Sequence, residues 1–195
     1  MKNTRSNILS AARELFEKKG FAAATTKEIA ALAGVSEVTL FRHFSTKRAL
    51  FDETLHSCLH PYTVEEYLRS GVTYDLEQDL KHIAYEMRDN FLKNAPMLRM
   101  IMRDKVRDSI PEKNMRMKEH HMKNNLHAYF NAMRRAGALS VEPEMAMKFF
   151  MTNISGSIMK EILVNGSVED DGAYFDWMLN QVIGILSKES GKDSI

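Results

Sequence analysis

The sequence predicts an all-α protein: a three-helix helix-turn-helix domain over residues 1–48, then a helical bundle over residues 49–195. Three observations lead there. Ala, Leu, Met, Glu, Lys and Arg are abundant, all good helix formers, and runs alternating β-branched with polar residues are missing. Apolar residues recur at helical spacing in about nine segments. The four prolines and most of the nine glycines fall at the ends of those segments, where helices start and stop.

Bulk properties set the frame. A chain of 195 residues, 44% hydrophobic and 27% charged, buries a sizeable core as one large or two small domains. No apolar run approaches the ~18 residues that a membrane span needs, and the opening MKNTRSN is too polar for a signal peptide. The expectation is a cytoplasmic protein with no membrane partner. Cys58 is the single cysteine and reads as a small packed side chain. The net charge of +1 is unevenly spread. Through Asp52, nine Lys and Arg stand against five Asp and Glu, giving +4 there and −3 beyond. A basic head on an acidic body suits a protein that holds a polyanion at one end.

The first helix is expected over residues 3–19, with Ile8, Leu9, Ala12, Leu15 and Phe16 on one side, Gly20 ending it and Phe21 stapling the loop to the core. Thr25-Thr26-Lys27-Glu28 is a capping-box pattern that starts the second helix, whose inward stripe reads as Ile29, Leu32 and Ala33. Gly34 stops it, and Val35 anchors the turn. Ser36 caps a third helix with Leu40 and Phe44 inward. Its other face carries Glu37, Val38, Thr39, Arg42 and His43, a set able to meet base edges and phosphates. Ser45 is expected to cap a fourth helix, with Lys47 in the first turn, where a cation opposes the helix dipole and a phosphate would relieve it.

At these residues the chain resembles the TetR family of bacterial repressors: Thr26, then Ala33-Gly34-Val35-Ser36, then Thr39-Leu40-Phe41-Arg42-His43-Phe44, then Lys47. The motif covers about the first quarter of the chain. One departure is Phe41 where the family has tyrosine, which replaces a phosphate-bonding hydroxyl with ring contact. The resemblance implies a DNA-contact set of Thr26, Lys27, Ser36, Glu37, Val38, Thr39, Phe41, Arg42, His43 and Lys47. Within it, Arg42 suits bidentate bonding to guanine, while Lys47, Thr26, Thr39 and His43 suit phosphates.

The fourth helix is expected from Thr46 to Leu59, with Leu50, Phe51 and Leu55 inward and no Gly/Pro-rich linker after it. Pro61 to Tyr74 reads as a break with one helical turn near Glu65 to Leu68. Asp75 caps a fifth helix to about Asn94 with Leu76, Leu80, Ile83, Met87, Phe91 and Leu92 along one side. Pro96 opens a sixth to Ser109 and Pro111 a seventh to Ala136, ended by Gly137. An eighth spans Glu142 to Asn165, a ninth Gly172 to Lys188, and the GKDSI tail frays.

The last two helices carry more apolar surface than one side needs, and the family's dimers form there. The resemblance therefore implies a homodimer, with Phe149, Ile154, Gly156, Phe175, Met178 and Val182 at its interface. Fourteen methionines, most in the second half, suit an adaptable apolar pocket. Its walls are read as Ile83, Met87, Phe91, Met100, Met122, Leu126, Phe130 and Met151, with Tyr85, His121 and Asn125 as polar contacts. His120, His121 and His127 lack the companion ligands and spacing of a metal site, so no metal and no cofactor is expected.

Taken together, the sequence reads as a DNA-binding transcriptional regulator, a repressor that holds a near-palindromic operator as a homodimer and is released by a small apolar or aromatic ligand. In the family, ligand binding shifts the sixth helix against the fourth and respaces the recognition helices. The alternative is a DNA-binding regulator with no small-molecule effector. An enzyme is not expected, since no GxSxG, phosphate loop or GxGxxG is present.

Overall fold

The computed structural model describes residues 4–59, 62–104, 112–163 and 171–188, with the side chains at 59, 62, 112–121 and 171 outside that description. Among the described residues ten helices follow one another: α1 (Thr4–Ala23), α2 (Thr26–Leu32), α3 (Glu37–His43), α4 (Lys47–Leu59), α5 (Tyr62–Ser70), α6 (Leu76–Lys93), α7 (Ala95–Arg103), α8 (Glu112–Arg135), α9 (Pro143–Leu163) and α10 (Asp171–Leu186). The protein is all-α, as the composition requires. The chain divides into two compact units, residues 1–60 with 93–115, and residues 61–92 with 116–195.

The first unit is built on Ile8, Phe16, Ile29, Leu40, Leu50 and Phe51, all closed to solvent, with Phe16 and Phe51 edge to face at 5.0 Å. The expected boundary at residue 48 does not divide the packing. Leu50, Phe51 and Leu55 of α4 belong to this core, and so do Met97, Met100 and Ile101 of α7. The physical reason is area: one long and two short helices have too little apolar surface of their own, and α4 and α7 supply the rest. Gly20 breaks α1 with φ 82° and ψ 166°, so the last turn to Ala23 leaves at an angle. That backbone region favours glycine, and a Cβ there would also push aside the Asp104 carboxylate of α7, whose Oδ2 it meets at 2.2 Å.

Two local expectations fail here. Leu32 is 49% exposed, because Ile29 and Ala30 are the inward pair of the short α2. The cap of α4 is Thr46 rather than Ser45: Thr46 Oγ1 accepts from the Ala49 amide at 2.9 Å.

In the second unit, the segment read as a break holds a nine-residue helix, α5. Its inward residues Val64 and Leu68 are four apart, and Gly71 lies just past its end rather than within it, its amide bonding the Tyr67 carbonyl at 2.8 Å. α7 ends at Arg103, and residues 105–111, where the sixth predicted helix was to finish, lie outside the described residues. The buried side chains of this unit include Ile83, Met87, Phe130, Phe150, Ile154 and Phe175. Arg88 donates to both carboxylate oxygens of Glu161 at 2.9 and 2.8 Å, fastening α6 to α9, and the Tyr85 hydroxyl donates to Asp176 of α10 at 2.7 Å. The α5–α6 connection wraps a carboxylate that the sequence reading passed over. Asp79 is fully buried and accepts from the Tyr67 hydroxyl at 2.5 Å, the Thr73 amide and hydroxyl at 2.9 and 2.8 Å, and the Tyr74 amide at 2.9 Å. Burial pushes its pKa up, but these bonds outweigh it and hold the carboxyl below its usual range. Delivering its amide to Asp79 leaves Tyr74 at φ 62°.

Candidate nucleic-acid interface

The helix-turn-helix is fixed by side chains answering backbone groups. Thr25 Oγ1 accepts from the Glu28 amide at 3.2 Å and Glu28 Oε2 accepts from the Thr25 amide at 3.2 Å, which is the predicted capping box. Lys19 reaches the same carboxylate at 2.7 Å, and with the Thr25 bonds it lowers the Glu28 pKa to about 2. Gly34 takes φ 70°, and the Val35 amide returns to the Ala30 carbonyl at 3.0 Å to close the turn. Ser36 Oγ then accepts from the Thr39 amide at 3.1 Å and starts α3. Leu40 and Phe44 anchor α3 from below. Arg5 holds its far end: it donates to the His43 carbonyl at 3.1 Å, pairs with Glu53 and lies 4.5 Å over the Phe44 ring.

Once α3 is held this way, a small set of groups is left facing outward. Val38 is 79% exposed, Phe41 and Arg42 are exposed, and Thr39 and His43 are half-buried. Lys27 is exposed on α2. Lys47 is less free than expected: its ammonium donates to the Ala22 carbonyl at 3.2 Å and sits 4.7 Å from the centre of the Phe21 ring, and burial lowers its pKa. It still has donors to spare. Thr26, expected to hold a phosphate, donates its hydroxyl to Glu37. Ser36 Oγ and Thr39 Oγ1 lie 2.9 Å apart and share a proton between them, so one of the two hydroxyls keeps a proton for an outside acceptor. The face therefore presents cations at Lys27, Arg42 and Lys47, an apolar pair at Val38 and Phe41, and one carboxylate.

The predicted pocket residues are divided between the two units. Met100 belongs to the core of the first unit. Ile83, Met87, Leu126 and Phe130 are closed to solvent in the second, with no surface left for a water-sized neighbour beside Ile83 or Phe130. Tyr85 is 39% exposed and bonded to Asp176, Phe91, Met122, Asn125 and Met151 are half-buried, and the His121 side chain lies outside the described residues. A cleft of about 530 Å³ in the second unit is lined instead by Tyr74 to Glu77, Ala136 to Ala138, Ser187 and Lys188. Of the predicted interface set, Phe149 and Gly156 are exposed, whereas Ile154, Phe175, Met178 and Val182 are buried within their own chain. The outer faces of the two helices are made by Met145, Phe149, Gly156 and Leu163 on α9, and by Tyr174, Trp177 and Ile185 on α10. Spacings of four and seven along α9 put its members on one side. Sequence reasoning assigned no role to Trp177 and Tyr174; their polar tips were the available signal. Among the described residues no three of His, Cys, Asp and Glu gather as a metal site, and no helix is long and apolar enough to cross a membrane.

Comparison with known proteins agrees with the geometry of α2 and α3. Residues 8–54 match the family described as bacterial regulatory proteins, tetR family. An uncharacterised HTH-type transcriptional regulator of Bacillus subtilis, YvkB, is 44% identical over 85 residues, 43% of this chain and 42% of that protein. The match thus spans less than half of that relative's length. Two solved structures share the fold along nearly the whole chain. NalD of Pseudomonas aeruginosa, the secondary repressor of the MexAB-OprM multidrug efflux pump, is 23% identical with TM-score 0.73, covering 96% of this chain and 98% of its own. FadR of Bacillus subtilis, a transcriptional regulator solved with stearoyl-CoA, is 16% identical with TM-score 0.73, covering 93% and 98%. Residues 8–54 thus carry the helix-turn-helix described for bacterial regulatory proteins, tetR family, and the chain shares its all-α fold with solved regulators.

Proposed function

We propose that the protein is a dimeric transcriptional repressor whose two α3 helices read successive major grooves of a near-palindromic operator. One observation carries this: α3 is clamped at both ends and from beneath, yet leaves Val38, Phe41 and Arg42 uncovered, with Lys27 and Lys47 on the helices before and after it. Such a face pairs phosphate-holding cations with groups that meet base edges. A single helix-turn-helix covers little DNA, so two are required, about 34–36 Å apart on the duplex. The exposed apolar faces of α9 and α10 supply the second copy, since large aromatic side chains on a surface call for cover. Selection from a random duplex library, followed by anisotropy titration at several salt concentrations, tests the first part. A repeated half-site and a steep salt slope are expected, and failure to enrich any sequence rules the assignment out.

Release by a small apolar or aromatic ligand is the second part. FadR was solved with an acyl-CoA, and NalD represses an efflux pump, which lends support by likeness of fold. The ligand enters the second unit by displacing the packed side chains around Met87 and Phe130. Its effect travels along the chain, because α6 of the second unit runs directly into α7, which completes the head core. A coupling of about 1–3 kcal/mol changes operator affinity by roughly 5–150-fold, and operator weakens ligand binding by the same factor. Ligand affinity measured with and without operator decides it, equal values ruling the mechanism out. The closed packing of Ile83, Met87, Leu126 and Phe130 favours one rival, a regulator with no effector, for which no compound raises the melting temperature.

A further inference from the structure

The geometry points to Glu37 as the residue that selects one base in each operator half-site, the exocyclic amino group of cytosine, with Thr26 as its positioning residue. The assignment rests on α3 being the DNA-reading helix proposed above. Glu37 is the first residue of α3 and Thr26 the first of α2, so the two helices bring their starts together although the residues are eleven apart in sequence. Thr26 Oγ1 donates to Glu37 Oε1 at 2.5 Å.

Proton counting gives the consequence. A threonine hydroxyl has one proton and an ionised carboxylate has none, so once Thr26 has donated, the pair shows only lone pairs to anything outside. A phosphate finds no donor there. Neither does guanine, whose major-groove edge offers N7 and O6, nor thymine, which offers O4, because these are acceptors as well. The pair is satisfied only by an amino group, and two bases present one in the major groove. Adenine sets its N7 acceptor beside N6, which suits an amide that both donates and accepts. Cytosine N4 stands alone and suits a carboxylate. Glu37 is half-buried, so a base that leaves it unanswered costs the desolvation of a charged group with nothing in return. The tether matters because a glutamate has three side-chain torsions, and the bond to Thr26 fixes where its other oxygen points.

This makes Thr26 and Glu37 a filter rather than a grip. Arg42 and the lysines draw DNA in, and the acceptor pair rejects every base at one position save those with an amino group. The test selects DNA from a randomised duplex library with the full-length protein, then titrates single-base-pair variants of the selected operator. Wild type is to be compared with Glu37→Gln, Glu37→Ala, Thr26→Val and Thr26→Ser, each first checked for a cooperative melt. Wild type is expected to hold a C·G pair at one position of each half-site, with about 5–150-fold weaker binding when it is replaced. Glu37→Ala flattens that position alone, and Glu37→Gln moves it toward adenine. Thr26→Val blurs it, and Thr26→Ser, which keeps the hydroxyl, restores it. A base profile identical to wild type in both Glu37 variants overturns the selection, and an unchanged profile in Thr26→Val overturns the positioning. A wild-type protein that enriches nothing defeats the regulator assignment itself, whereas an enriched operator indifferent to Glu37 defeats only the filter.

Discussion

The two units are arranged in opposite senses. The first pairs its charges at or near the surface, Arg5 with Glu53, Lys19 with Glu28 and Arg48 with Asp52, and Glu37 takes a bond from Thr26. The second seals its most heavily bonded carboxylate, Asp79, inside and leaves Trp177 60% exposed and Met145 63% exposed on its surface. Polar groups already satisfied at a surface wait for a polar partner that can exchange bonds with them. An uncovered apolar face has no such exchange with water and is relieved by burial. On the proposed function, one unit meets nucleic acid and the other a second copy of the chain.

The contrast can be broken most forcefully from within the second unit. Phe175→Ala should destabilise it by about 3–5 kcal/mol in urea titration, because Phe175 is closed to solvent in its own chain. If Phe175 were an interface residue instead, the melt of the isolated chain would barely move and only association would suffer. Asp79→Ala comes next, at about 1–3 kcal/mol, since it removes the shared acceptor of the Thr73 and Tyr74 amides and of the Tyr67 and Thr73 hydroxyls. Acid should act through the same group. Its folded pKa is depressed, so its contribution is fully present above the unfolded value near 3.9 and is lost as pH falls through the folded one.

Gly156→Arg separates fold from assembly. A Cβ at Gly156 meets nothing within 4 Å, so the monomer accepts the side chain, while a charge on this face should turn a dimer into monomers in sedimentation velocity. A wild-type monomer at micromolar concentration would remove the need for the second copy altogether. On the head, Arg42→Ala should cost about 1–3 kcal/mol on the selected operator and little on random DNA. Lys47→Ala should weaken all sequences alike and lower the salt slope by about one. The smallest effect expected is Thr25→Ala, about 1 kcal/mol, read as faster amide exchange at the start of α2.

What was legible in the sequence was the chemistry a residue performs on its near neighbours. The capping box of Thr25 and Glu28, the left-handed Gly34 and the Ser36 cap each act within a few residues, so their spacing already states the geometry. Asp75 likewise caps α6 through the Gln78 amide at 2.9 Å. What was not legible was the choice between two faces. On α9 and α10 apolar residues surround the helix, and nothing in the order Phe175, Asp176, Trp177 says that Phe175 points in and Trp177 out. The same limit hid α7, whose methionines suit a pocket in one unit as well as the core of the other. Asp79 did leave a trace, since it falls between Leu76 and Ile83 on the buried side of α6, where a carboxylate demands partners.

The place of α7 bears on how such proteins exchange parts. Met97, Met100 and Ile101 complete a core begun by residues 8 to 58, and the Asp104 carboxylate lies against Gly20. A head cut away after α4 would leave that apolar surface bare. A chimera that gives this head a foreign sensing body must therefore be spliced at two places, with α7 carried along as an insert, and a recombination event with one crossover would join a head to a body that cannot close it.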